Sequence, residues 1–234
     1  MEVNVIFSKE SANIQVNRLL LSYPGLKIVD SSDSLIRLSG TILVYRAIED
    51  YTLRKKYDLE IVVPIGNNEL PYVIDSSNAI SKSYSHKYNN GMLCLETDII
   101  IRKRFVQGFD LIAWMDEYVE PYFVTYEYFN EYGNYPFGER SHCSLGIMES
   151  YQELFNAKDL QEAFNLTDYI RKHEYRGHHL CICGSGKRLR NCHGPYMLPF
   201  YINDSLKIQL EKDINQLERE LREYEARRNK GTAK

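Results

Sequence analysis

Residues 85–97 are the segment around which the rest of the chain is arranged. They read Ser85-His86-Lys87-Tyr88-Asn89-Asn90-Gly91-Met92-Leu93-Cys94-Leu95-Glu96-Thr97. The segment is polar up to Gly91 and then becomes apolar around a single cysteine. Asn90 and Gly91 predict a tight turn, because both residue types tolerate positive φ. Cys94 therefore follows a turn, with His86 eight positions before it. We expect this layout to present a thiol at the edge of a groove, with an imidazole and amide groups nearby.

Length and composition are those of an ordinary globular protein. The 234 residues leave room for one large domain, or for one of ordinary size with a small appendage. The net charge of −3 gives no global reason to expect nucleic-acid or membrane binding. No apolar run approaches the ~20 residues of a membrane helix, and the first residues lack a signal-peptide pattern. We predict a cytoplasmic protein that does not bind membranes.

The chain before Cys94 predicts one helix followed by an antiparallel meander. Ser8 can cap a helix that runs to about Leu21. Residues 36–42 alternate between apolar and polar side chains, which is typical of a strand with one buried face. The expected strands cover residues 26–29, 35–45, 57–63 and 72–74, with a charged hairpin over residues 49–56.

The chain after Cys94 is predicted to be helical. Residues 109–130 form an aromatic helical stretch in which Pro121 marks a kink or a break. Two amphipathic helices follow, over residues 145–155 and 160–172. Beyond Pro199 a charged helix carries an apolar seam with alternating spacings of four and three, at Leu210, Ile214, Leu217, Leu221 and Tyr224. This helix covers its seam against the body of the protein, a partner, or a second copy in a homodimer.

Three of the five cysteines cluster with a histidine near the C-terminal end, as Cys181, Cys183, Cys192 and His193. Three thiolates and one imidazole make a complete tetrahedral set for structural zinc, with no open position for catalysis. The segment is too small to bury a core of its own and would rely on the metal for its folding free energy. The alternative is a set of free thiols in a basic loop.

This segment resembles the SEC-C motif, a small zinc module known from the C-terminal end of the bacterial preprotein translocase ATPase and from many other bacterial proteins. The resemblance covers about Cys181 to Gly194, with histidine at the last ligand position. Lys187, Arg188 and Arg190 form either a contact for an acidic partner or nucleic acid, or a solvated basic rim. The nucleic-acid interpretation predicts salt-dependent binding that is lost when these three charges are neutralised.

The order of elements around Cys94 resembles the ubiquitin-conjugating enzyme fold over about residues 8–130. In that family a strand ends in proline and a Pro-containing loop leads into the fourth strand, as in residues 57–64 and 70–73 here. A His-Pro-Asn segment then precedes an Asn-Gly-x-Ile-Cys-Leu catalytic stretch. Gly91 and Cys94 match that stretch in place, whereas His-Pro-Asn has no copy in this chain.

His86 lies at the offset from the cysteine, 94 − 86 = 8, where the eukaryotic enzymes carry the asparagine. Bacterial relatives are closer, because they likewise use His, then Gly, then Cys-Leu. They are encoded beside cGAS-like nucleotidyltransferases in antiphage operons of the CBASS type.

The resemblance implies an α+β, ubiquitin-conjugating-like fold with an N-terminal helix, an antiparallel four-strand meander and C-terminal helices. A small zinc-binding module and a long terminal helix are added to it. The expected domains are a catalytic domain with a helical extension over residues 1–174, the zinc module over 175–198 and the C-terminal amphipathic helix over 199–234.

The activity implied is that of a thioester carrier in antiphage defence. Cys94 accepts the C-terminus of a protein partner, by resemblance a cGAS-like nucleotidyltransferase or a ubiquitin-like protein, and an amine then attacks the thioester. Asn89, Asn90 and His86 are candidate donors to the oxyanion. His86 has two further candidate roles, as the base that deprotonates Cys94 or the amine and as scaffold.

Two alternatives remain. A cysteine flanked by leucines is commonly a small buried hydrophobe, in which case the protein is an inactive conjugating-like adaptor that docks partners through the zinc module and terminal helix. Cys143, next to His142, is the rival nucleophile, although its polar loop favours a structural role or a partner contact.

Overall fold

The computed structural model of the chain describes residues 6–48 and 50–231, with the side chains of 224, 225 and 227–231 left out. The chain folds into two compact units. Unit 1 comprises Met1–Glu96 and Gln107–Glu139, and unit 2 comprises Thr97–Val106 and Arg140–Lys234. These units divide the chain at other positions than the expected boundaries after residues 174 and 198.

The helices and strands have the following bounds along the described chain. The helices are α1 Lys9–Ser22, α2 Asp98–Arg104, α3 Leu111–Trp114, α4 Glu120–Tyr132, α5 Cys143–Phe155, α6 Leu160–Lys172, α7 Gly194–Ile202 and α8 Asp204–Gly231. The strands are β1 Leu26–Ser31, β2 Leu35–Ile48, β3 Tyr51–Pro64 and β4 Tyr72–Asp75. None of the helices so described has the length and apolar content needed to cross a membrane.

The strands that the structure describes form one antiparallel sheet in the order β1-β2-β3-β4. The predicted α+β class with a four-strand meander is therefore confirmed. Ile36 and Leu38 are buried while their neighbours are less so, as the alternating sequence pattern predicts. The charged hairpin predicted over residues 49–56 is wrong in extent, because β2 and β3 stay paired up to Ile48 and Tyr51; Glu49 lies outside the described residues.

Helix α4 packs against β2 and β3 of the sheet in unit 1. Ser8 caps α1 as predicted, its hydroxyl accepting from the Ser11 N–H at 3.1 Å. Tyr57 of β3 stacks on Phe123 of α4 with ring centroids 4.1 Å apart. The helical path runs without a break from α3 through a π-helical turn, Met115–Val119, into α4. Pro121 therefore directly follows the π-helical turn inside a continuous helical path, and it does not separate two helices.

Unit 2 is helical and has an apolar core of its own. The domain boundaries expected from the sequence stay predictions. The core draws on α5, α6, α7 and α8 together with Cys181 and Leu189 from the cysteine-rich segment. Along α8 the seam residues Leu210 and Ile214 are buried in this core, whereas Leu221 is 58% exposed. The Tyr224 side chain of the predicted seam lies outside the described residues. The first half of the terminal helix thus packs its apolar seam into the core of unit 2.

A buried polar network lies within this core. The Tyr151 hydroxyl donates to Asp213 Oδ2 at 2.8 Å, and Gln209 Nε2 donates to Asp213 Oδ1 at 2.8 Å. Burial raises the pKa of Asp213 to about 6, because the loss of hydration outweighs these two hydrogen bonds. The carboxylate is therefore ionised at neutral pH at a cost in folding free energy.

This network predicts a pH dependence that the Asp213→Asn substitution removes. The folded-state pKa lies above the unfolded value, so the penalty is absent near pH 4 and grows as the pH rises through about 6. Relative to wild type, Asp213→Asn should gain about 1–3 kcal/mol of unfolding free energy between pH 4.5 and pH 7.5. Urea unfolding at both pH values measures this gain. Glu211→Gln on the same helix is the control, and an equal gain in both variants would contradict the assignment.

Candidate functional site

Residues 86–94 form a small hairpin that carries Cys94. Lys87 pairs with Leu93, the Cys94 N–H donates to the His86 carbonyl at 2.8 Å, and the Tyr88 N–H donates to the Met92 carbonyl at 2.9 Å. The turn is closed by a Gly91 N–H to Tyr88 carbonyl bond of 2.9 Å. Gly91 has φ 84°, so the predicted tight turn is confirmed, with glycine in the left-handed position that follows a type I turn in such hairpins.

The hairpin is attached to the sheet through its second strand. The Leu93 N–H donates to the Val73 carbonyl and the Asp75 N–H donates to the Gly91 carbonyl, both at 3.0 Å. The chain around Met92 and Leu93 thus continues the meander beyond β4. This attachment fixes Cys94 on the framework that the strands before it build.

The two faces of the hairpin differ in burial. Lys87 and Leu93 point to an inner face, where the Lys87 side chain and Leu93 are each 4% exposed. His86 and Cys94 are opposite each other in the ladder and are both half-buried. Directly opposed residues in an antiparallel pair lie on the same face with Cβ atoms about 5 Å apart. Leu93, and not Cys94, therefore fills the core position.

His86 is held from several sides within unit 1. Its Nε2 atom is 3.3 Å from Glu139 Oε1, and its ring lies against Tyr84 and Tyr135 with centroid distances of 5.4 and 5.8 Å. Its carbonyl also accepts from the Tyr122 hydroxyl at 3.1 Å. Burial raises the pKa of Tyr122, so this hydroxyl remains a donor over the physiological range.

The structure brings His86 to Cys94 but leaves Asn90 at the far end of the hairpin. Asn90 Oδ1 accepts from the Met92 N–H at 3.1 Å and so stabilises the turn. It is about three ladder steps, or ~10 Å, from the level of Cys94. Asn89 is exposed in the same turn. Cys143, the rival nucleophile, is exposed at the first residue of α5 in unit 2.

Sequence reasoning missed three groups around this thiol. The Tyr88 hydroxyl is 3.5 Å from Cys94 Sγ. The alternation of side chains along a strand could have indicated this contact, because Tyr88 is two residues from His86 and so lies on the same face of the hairpin as Cys94. Tyr122 and Glu139 reach His86 from positions far along the chain, and no spacing in the sequence indicates them.

The second cluster is a potential metal centre in unit 2. Cys181, Cys183, Cys192 and His193 bring their ligand atoms within 4.8 Å of one another. His193 Nδ1 is 3.3 Å from Cys181 Sγ and 3.5 Å from Cys192 Sγ, and the Cys183 and Cys192 sulfurs are 3.5 Å apart. Zn–S bonds of about 2.3 Å in a tetrahedron put the sulfurs about 3.8 Å apart, so this donor set fits zinc.

The local fold explains how so short a segment gathers four ligands. The Cys181 N–H donates to the Lys187 carbonyl at 2.8 Å, and this tight loop uses Gly184 and Gly186 at φ 77° and 71°. A single 3-10 turn, Leu189–Asn191, then delivers Cys192 and His193. Cys181 and His193 are 4% and 9% exposed, so one side of the cluster belongs to the core of unit 2.

The thiols of the cluster differ in acidity. Burial raises the pKa of Cys181 to about 11. For Cys183 burial acts in the same direction, but hydrogen bonds from the Ser185 hydroxyl and backbone and from the other thiols outweigh it and lower its pKa to about 6. Since metal is bound by thiolates, binding at neutral pH would release the Cys181 proton.

Comparison with known families identifies the segment. Residues 180–195 match the SEC-C motif. SEC-C is a zinc-binding module, and the match includes all four predicted ligands. Within the SEC-C motif, three basic residues are exposed: Lys187, Arg188 and Arg190. No curated protein and no solved structure matches the chain.

Proposed function

We propose that the protein is a ubiquitin-conjugating-like thioester carrier whose nucleophile is Cys94. The observation that carries this proposal is the hairpin, which turns Cys94 away from the inner face and opposite His86. The helix and four-strand meander before it provide the order of elements that the resemblance requires. By that resemblance the carried protein is a cGAS-like nucleotidyltransferase or a ubiquitin-like protein, and the setting is antiphage defence.

The chemistry has two acyl transfers. The Cys94 thiolate attacks the carbonyl of a C-terminal glycine thioester, the donor thiolate leaves, and a new thioester forms on Cys94. An amine then attacks this thioester, loses a proton, and expels the Cys94 thiolate as an amide forms. The candidate acceptor for that proton is the imidazole of His86, whose Nε2 atom lies 3.3 Å from Glu139 Oε1.

A second candidate function is that of an inactive conjugating-like adaptor. It is favoured by the position of Asn90, whose amide serves the turn and lies about 10 Å from the level of Cys94. An adaptor would use the SEC-C motif and α8 as docking surfaces and would form no thioester.

We also propose that the SEC-C cluster holds one structural zinc ion. All four donors come from the protein, so the ion would have no position for substrate. When bound, it supplies folding free energy and not catalysis.

Thioester formation tests the enzyme against the adaptor. A candidate partner with a C-terminal glycine, prepared as a thioester of a small thiol, is incubated with the protein so that no activating enzyme is needed. We expect an adduct that resists denaturant, disappears with excess dithiothreitol, and is lost completely in Cys94→Ala. Cys143→Ala is the matched control and should form the adduct at the wild-type rate. An adduct that persists in Cys94→Ala or disappears in Cys143→Ala would refute the assignment, and no adduct with either partner class would favour the adaptor.

A further inference from the structure

A buried ion pair lies directly beneath the Cys94 hairpin. Lys87 Nζ is 2.7 Å from Asp75 Oδ2, and the two side chains are 4% and 2% exposed. Lys87 occupies the inner face of the hairpin, and Asp75 is the last residue of β4. Charged side chains are almost never buried to this degree without a partner, so each of these residues depends on the other.

The pair also organises the backbone around it. Asp75 accepts from the N–H groups of Ala79 and Ile80 at 3.1 and 2.9 Å and from the Ser77 hydroxyl at 3.2 Å. Lys87 Nζ donates in addition to the Ile80 carbonyl at 2.9 Å. Burial alone would raise the pKa of Asp75, but its hydrogen bonds and Lys87 lower it below its usual value, so this carboxyl is ionised at neutral pH. β4, the following loop and the hairpin are thereby joined.

The physical effect of such a pair is specificity more than stability. Replacing a buried ion pair by apolar residues of similar volume is often neutral, because the attraction only offsets the lost hydration. A strand that slips by one residue, however, moves every side chain to the opposite face. If the hairpin slipped by one residue against β4, Lys87 would be separated from Asp75 and Cys94 would turn to the inner face.

We propose that Asp75 and Lys87 are positioning residues for Cys94, because their pairing selects the hairpin register that places Cys94 and His86 on the outer face. The inference rests on the proposed function only in taking Cys94 as the reacting group. The thiol's accessibility can be measured without any partner, so this proposal and thioester formation are tested separately.

The test uses the double variant Asp75→Asn/Lys87→Met, which removes both charges but keeps an acceptor at 75 and the aliphatic stem at 87. Alkylation of Cys94 by iodoacetamide is followed in native, zinc-supplemented protein by peptide mass spectrometry. Exposed Cys143 in the same sample is the internal reference. We expect the double variant to remain folded and its Cys94 rate to fall about fivefold or more relative to Cys143.

The matched control applies the same two changes to an exposed pair of unit 1, as Lys9→Met/Asp33→Asn. It should alkylate Cys94 at the wild-type rate. A folded Asp75→Asn/Lys87→Met protein whose Cys94 rate is unchanged, higher or less than fivefold lower would overturn the proposal. Failure of unit 1 to fold in this double variant would overturn it too, since the pair would then serve folding as a whole and not the register.

Discussion

Replacing Cys181 by serine is expected to abolish zinc binding and to destabilise unit 2. Cys181 is a predicted ligand and, at 4% exposed, part of the same core as Leu189 and the helices of this unit. Structural zinc contributes about 10–16 kcal/mol in isolated zinc-finger peptides, so the loss here should be several kcal/mol. The hydroxyl that replaces the thiol is also a poor zinc ligand.

The two units allow this effect to be localised. Metal content should fall from one zinc per chain to none, and trypsin should cleave within the SEC-C motif, at Lys187, Arg188 or Arg190. The single tryptophan, Trp114, is buried in unit 1 and should keep its native fluorescence. Cys143→Ser, which changes an exposed thiol, is the control and should retain the zinc. Retention of zinc by Cys181→Ser, or an undiminished stability of unit 2, would contradict the structural role.

The second large effect is expected for Arg102→Met. Arg102 is 5% exposed, and its guanidinium donates to Gln209 Oε1 at 3.0 Å and to Ser205 Oγ at 2.9 Å. Its charge also lowers the pKa of buried Asp213, against the larger effect of burial. Removal breaks the hydrogen bonds to Gln209 and Ser205 on α8 and leaves the Asp213 carboxylate without this nearby cation. The expected loss in unfolding free energy is about 2–4 kcal/mol at pH 7.

Urea unfolding followed by helical circular dichroism measures this loss. The control is Lys103→Met, at the next residue of α2. Lys103 is only half-buried, and its replacement by methionine changes the helix propensity by about as much as Arg102→Met does. The double variant Arg102→Met/Asp213→Asn should recover part of the stability, since the buried Asp213 carboxylate is removed together with its cation. Equal losses in Arg102→Met and Lys103→Met would show that the network contributes nothing.

Local patterns predicted the elements of the fold well where one face of an element is buried. The cap at Ser8 begins α1, the alternation around Ile36 and Leu38 marks β2, and the two amphipathic helices after residue 140 are present as α5 and α6. The hairpin between β2 and β3 was predicted too long, because charged residues such as Arg54 and Lys55 are poor signals for a strand. Cross-strand pairing along two strands overrides that weak propensity.

The candidate sites were predictable to different degrees. The predicted metal ligands are close in sequence, and the chemistry of three thiols and an imidazole indicates them without knowledge of the fold. Cys94 and His86 could be paired by their offset, because a hairpin with its turn at Gly91 brings residues eight apart into opposition. The oxyanion role expected of Asn90 stays a prediction, and its turn contact favours a structural part. The zinc ion, the thioester chemistry and the partner likewise stay predictions.

By itself, the sequence determined the order of the elements, the tight turn before Cys94 and the four SEC-C ligands, since each of these depends on residues within a few positions of one another. Only the tertiary structure decided that Asp75 and Lys87 are buried together, that Tyr122 and Glu139 reach His86, and that the SEC-C motif shares a core with α5–α8. Such contacts join residues that are distant along the chain, or residues that no local sequence pattern marks as buried. Their formation depends on which faces the packing of whole helices and strands removes from water.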